Sequence, residues 1–255
     1  MDRDYLSSPR VVAASKGLVC ARLLTYESAE EAKVLTSFFT GRSGLLENTT
    51  FIVVAPDGAT ALTRGGRSPD QILRGQGAGD DEALAALLTA QAKRYPAKPA
   101  SERESPLLPY HVDVRRGLDA AACDLLPLVV VVARDAEGRA AFEKVLRPLA
   151  WAPSRAGRLL YAPASSVEEL KSVTGVSPSA RLVLVQPDAF GLKGTVLAQT
   201  DSLTPAALAK ALDDGIARQK AVTKDPRAQI AEGHREGVEW KPEIPDTDPG
   251  GKRGR

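Results

Sequence analysis

The chain has 255 residues, 43% of them hydrophobic, and its 34 basic residues nearly balance 32 acidic ones for a net charge of +2. That length suits two domains with real cores, and the near-neutral balance lacks the basic footprint of a nucleic-acid binder or of a partner for anionic membranes. Two cysteines and two histidines are too few for a disulfide-rich scaffold, and the longest apolar runs, 127–133 and 182–185, fall far short of the roughly 20 residues of a membrane span.

In chain order, residues 1–16 place Leu6, Val11, Val12 and Ala14 at helical spacing, and 18–24 read as a short buried strand holding Cys20 and Arg22. Ser28 with Glu31 three residues on is a capping box. It starts a helix over 29–39 with Ala32, Leu35, Phe38 and Phe39 on one stripe and a stop near Gly41. Residues 50–55 form a second strand. Pro56-Asp57-Gly58 then turns the chain, because proline presets φ and glycine accepts φ > 0, and 61–64 return as the hairpin partner. A helix over 81–95 closes this half on Leu84, Leu87, Leu88 and Ala92, and the proline-rich stretch 97–109 reads as a linker.

The second half opens with a helix over 112–126, followed by a β-branched strand at 127–133 whose unbroken apolar character predicts burial on both faces. A helix over 138–151, bent or ended near Pro148, leads to a strand at 158–162. A helix over 166–173 follows, with Ser166 as cap and Glu169 behind it. Strands at 181–186 and 195–199 flank a Pro187-Asp188 turn containing Gly191 and Gly194. Thr204 and Pro205 start a last helix to about residue 219. Residues 221–255 are polar and proline- and glycine-rich with few apolar side chains, a composition expected to stay disordered, with Val238 and Trp240 as candidate local anchors.

This order of strand, helix, strand, helix, hairpin and closing helix resembles the thioredoxin fold. Residues 127–219 cover a whole unit of it, and 1–95 cover the later part of a second. The fold class expected is therefore α/β: a partial thioredoxin-like unit over 1–96, a linker over 97–109, a second unit over 110–220 and a tail over 221–255. The segment ENTTFIVVAPDG at 47–58 is similar to the stretch where that family carries a cis-proline, a threonine and the strand leading to its hairpin turn. The resemblance implies that Asn48, Thr49 and Thr50 stand at that loop in the first unit. In the second, Pro178 is about two residues early and Ala180 matches better by spacing. The helix after 127–133 should open with CxxC but reads ARDAEGRAAF, so no thiol–disulfide exchange is expected there. Residues 1–23 resemble the segment that directly follows such a pair. Either the first strand and cysteines lie upstream of Met1, or the first unit is trimmed and completed by the second.

No catalytic, cofactor-binding or metal-ligating set emerges. Asp57 and Asp188 read as turn formers, and Glu27, Glu30 and Glu31 as an acidic first turn favoured by the helix dipole. Gly65-Gly66 lacks the following helix and Lys-Ser/Thr of a phosphate loop, and His111 and His234 lack ligand neighbours. Arg22 reads as a snorkelling edge-strand arginine and Trp151 as a cap on the second core. Cys20 and Cys123 sit in apolar stretches and are expected to be inert, buried thiols; burial is also the argument against Cys20 as a redox sensor. The expectation is a thioredoxin-like module that binds a protein or extended peptide or serves as structure, with no cofactor, nucleic acid or membrane partner. A disulfide oxidoreductase with its CxxC upstream of a misassigned start is the alternative. With no signal peptide visible, the chain as written is expected to be cytoplasmic, and exported if a leader lies upstream.

Overall fold

The valine run at 128–132 is buried along its whole length and sits inside a sheet rather than at its edge. The computed structural model that establishes this describes residues 5–23, 25, 28–40, 44, 50–73, 81–97, 106–220 and 225–239. The chain divides into two compact units: residues 1–103 with 240–255, and residues 104–239.

In the first unit, α1 (Pro9–Ser15) packs against α4 (Asp81–Arg94), and Tyr5, Val11, Val53, Ile72, Leu73, Leu84, Leu87 and Leu88 form its core. The Ser8 hydroxyl donates to the Asp81 carboxylate at 2.5 Å, joining the two helix starts. Helix α2 (Ala29–Phe38) begins as its capping pattern requires, with the Ser28 side chain accepting from the Glu31 amide. Its face is only half covered, since none of its residues is fully buried. The one-turn helix α3 (Pro69–Ile72) leads towards α4.

The strand expected at 18–24 does not form: residues 19–23 are irregular and Val19 is almost fully exposed. A five- to seven-residue apolar run needs a partner strand, and none pairs with it among the described residues. The expected hairpin is present in reduced form. Phe51 exchanges two backbone hydrogen bonds with Gly66, and Val54 bridges Ala61. The Val53 amide is taken by the Thr63 hydroxyl instead of a carbonyl, so the ladder breaks between the bridges. At its tip the Asp57 carboxylate accepts from the amides of Ala59 and Thr60 and from the Thr60 hydroxyl.

The second unit is a five-stranded mixed sheet flanked by helices. Helix α5 (Val114–Asp124) precedes β1 (Leu128–Val132), and α6 (Ala136–Ala150) crosses to β2 (Leu160–Ala164), which pairs parallel with β1. After β3 (Val173–Thr174) come β4 (Leu182–Pro187), antiparallel to β1, and β5 (Gly194–Thr200), antiparallel to β4. Then follows α7 (Pro205–Arg218). The order across the sheet is β2-β1-β4-β5-β3.

Alternation sorts the core into two layers. Val129, Val131, Leu182 and Leu184 meet Phe142 and Leu146 of α6 and Leu208 and Leu212 of α7. Leu128, Val130, Val183 and Val185 meet Val114, Leu118 and Ala121 of α5. A strand buried on both faces needs this continuous apolar run. Close approach is set by two glycines. A methyl group at Gly215 of α7 would stand 2.1 Å from the Leu184 side chain, and one at Gly117 of α5 would stand 2.9 Å from Leu128.

Two local expectations give way to tertiary pairing. The helix expected at 166–173 is a single 3₁₀ turn, Val167–Leu170, because Val173 and Thr174 leave it to pair with Gly194 and Thr195. Ser166 makes no side-chain cap; Glu169 accepts from the Ser165 amide instead. Helix α6 ends at Ala150, two residues after Pro148, as the proline led one to expect; its ring nitrogen has no N–H to give the Lys144 carbonyl. Part of the tail expected to be disordered is α8 (Pro226–Glu236), capped by Asp225 and ended by Gly237 in the left-handed region. Its Gln229 side chain donates to the Ala189 carbonyl and Gly233 approaches Phe190, so the 188–193 turn supplies a partner that composition alone does not reveal. No helix among the described residues is long and apolar enough to cross a membrane.

Candidate functional site

Polar side chains of the second unit gather at several places, among them one at the end of β1 and one against β2. The first lies where β1 ends and α6 begins. Val132 and Ala133 are buried, and the chain then emerges at Arg134 and Asp135. Asp135 caps α6 by accepting from the Gly138 amide at 2.7 Å, so the helix opens as Ala136-Glu137-Gly138. Beside it runs the approach to β4. Ser177 and Ala180 close a tight turn through the Ala180 amide and Ser177 carbonyl, with Pro178 and Ser179 exposed at its tip. The Gln199 side chain braces this turn by accepting from the Ser177 amide at 2.8 Å and donating to the Gly175 carbonyl at 3.0 Å. Arg181 ties it to the first segment: its Nε donates to the Val132 carbonyl, and its own carbonyl accepts from the Val132 amide.

The pairing thus sets Arg181, which follows the buried Ala180 and the exposed Pro178, against Val132, four residues before α6 begins. Every peptide bond among the described residues is trans. In the first unit Thr50 is half-buried just before the Phe51 bridge, and Asn48 and Thr49 lie outside the described residues.

The second place is a buried polar and aromatic cluster against β2, from residues that the sequence pattern assigns to no site. Segment 106–111 runs along the edge of β2, with Leu108 in the core and the His111 amide donating to the Tyr161 carbonyl at 2.8 Å. Tyr110 meets Tyr161 edge to face, with centroids 6.5 Å apart. The buried Glu143 carboxylate pairs with Arg147 one turn on at 2.9 Å. Burial pushes the Tyr110 hydroxyl well above its ordinary range, and Glu143 adds to the shift; burial likewise raises Tyr161. Both phenols therefore stay neutral near pH 7 and are poor bases or nucleophiles. Arg155 is held in a fork by Asp213, Nε to Oδ1 and Nη2 to Oδ2, both at 2.8 Å, and also donates to the Leu149 carbonyl. Through Arg155 this cluster ties the end of α6 to α7. The signal that could have exposed it is the Leu107-Leu108 pair ahead of Tyr110, apolar residues out of place in a solvated linker.

Both cysteines are free and exposed, which corrects the expectation of buried thiols. Cys20 lies in the irregular 19–23 segment. Cys123 falls outside the buried face of α5, which is formed by Val114, Gly117, Leu118, Ala121 and Ala122. Burial therefore no longer argues against a reactive Cys20, though a single exposed thiol is not in itself a site. Arg22 lies exposed in the same segment instead of on an edge strand. Asp57 and Asp188 form turns as expected, Asp188 accepting from the Leu192 amide at 2.8 Å. The Thr60 hydroxyl and the amides behind it hold the Asp57 carboxyl below its usual range. Trp151 caps α6 and donates to the Pro106 carbonyl at 2.9 Å, though it remains partly exposed. His111 is buried and His234 exposed, and among the described residues no group of three His, Cys, Asp or Glu side chains is placed to hold a metal. No family model, curated protein or solved structure matches the chain.

Proposed function

We propose that this chain is a thioredoxin-like protein without a redox pair, and that its second unit is a non-catalytic module for binding an extended segment of a protein. The observation that carries this reading is the run β2-β1-β4-β5 within the order β2-β1-β4-β5-β3, with β1 parallel to β2, β4 antiparallel to both β1 and β5, and α6 and α7 on one face and α5 on the other. The succession of strand, helix, strand, hairpin and closing helix on which the resemblance rests is kept, while the short β3, parallel to β5, stands where a helix was expected. Where the fold's redox members carry two cysteines, α6 opens with Asp135, Ala136, Glu137 and Gly138, none of which can exchange disulfides. The surface left for a partner is the exposed rim of Arg134, Asp135, Pro178 and Ser179. The same reading of the first unit rests on less: α2, the bridged pair at 51–66 and α4 follow in the right order, without a continuous ladder.

Insulin reduction with added dithiothreitol tests the catalytic half of the proposal. The full chain should run at the rate of a Cys20→Ser, Cys123→Ser double variant, and turnover clearly above that variant overturns it. Panning random peptides against the full chain tests the other half. Selected extended peptides should lose binding to Arg134→Glu and Pro178→Gly variants that melt like the wild type; peptides that bind all three alike would count against this rim.

A further inference from the structure

We draw no further inference here: the strongest candidate, the groove between α1 and α4 lined by Ala13, Ala14, Ala85, Ala86 and Ala90, is a small-residue face bordered by the exposed Arg10–Glu82 pair, and nothing in the structure shows what covers it.

Discussion

In residues 104–239, β1 and β4 bury both faces, and each face has its own layer, of fourteen and thirteen buried residues. Among the described residues of 5–97, eight buried residues gather around one helix pair, and the hairpin beside them holds two isolated bridges. Local patterns are equally good in both halves: α2 and α4 are as well signalled as α5 and α7. The difference lies in long-range pairing. A ladder multiplies the burial available to each ordered residue, whereas a helix pair buries one stripe on each partner. With backbone ordering at roughly 1–2 kcal/mol per residue against about 25 cal/mol per Å² of apolar burial, the first unit has the smaller surplus.

The largest expected effect follows from that contrast. Expressed alone, residues 104–239 should give dispersed amide resonances and a single cooperative melt, while residues 1–103 should give neither. A well-dispersed, cooperatively melting 1–103 fragment breaks the comparison. Starting the second fragment at residue 110 sharpens it, because Leu108 leaves the core and Trp151 loses the Pro106 carbonyl. That loss should cost about 1.5–3 kcal/mol in chemical denaturation.

Next in size is Gly215→Ala. On helix propensity alone the change stabilises by about 1 kcal/mol. Against Leu184, which a new methyl would meet at 2.1 Å, it should destabilise by roughly 1–3 kcal/mol. The sign of the melting shift separates the two, and a stabilised variant would mean that α7 does not lie so close to β4.

A smaller loss is expected for Asp213→Asn, which leaves the buried Arg155 guanidinium with a neutral partner. Asp213 is 58% exposed, so solvent screening limits the cost to about 1 kcal/mol. The hydrogen bond from Arg155 lowers the Asp213 pKa, so the pair's contribution is present above the ordinary carboxylate range and fades as pH falls through the lowered value. Stability measured from neutral to acid should therefore show a constant gap between wild type and variant down to about pH 4, closing below it. A gap that stays constant to lower pH would remove the Asp213 charge from the account.

The smallest effect is a gain. Leu125 ends α5 at φ 57°, ψ 36°, where a side chain is strained and glycine is not. Leu125→Gly should raise stability by about 0.5–1 kcal/mol in thermal melts. A loss would show that the half-exposed leucine side chain packs more tightly than its backbone strain costs.

Most of the second unit was legible from pattern. The run at 127–133 announced a strand buried on both faces, and Thr204-Pro205 announced the start of α7. Asp188, like Asp57 in the first unit, announced its turn through a short side chain that bonds nearby backbone. Each of these signals is local, so neighbouring residues suffice to satisfy it. Of the candidate rim, the residues that open α6, Asp135 to Gly138, could be read directly, since they depend only on position after a strand and at a helix start. Tyr110, Glu143 and Arg155 could not, because their partners are far away in sequence.

By itself, then, the sequence determined the helices α1, α2, α4, α5, α6 and α7 and several of the turns, because periodicity, caps and turn residues act over a few positions. Tertiary structure decided whether an extended segment became a strand. The run at 18–23 pairs with no strand among the described residues and leaves Cys20 exposed, whereas the two residues Val173 and Thr174 found β5 and gave up a helix to pair with it. It also decided that Leu108 belongs to a core rather than a linker, and that 226–236 fold against the 188–193 turn. The physical reason is the same throughout: a backbone hydrogen bond or a buried methyl group has value only when its partner is in place.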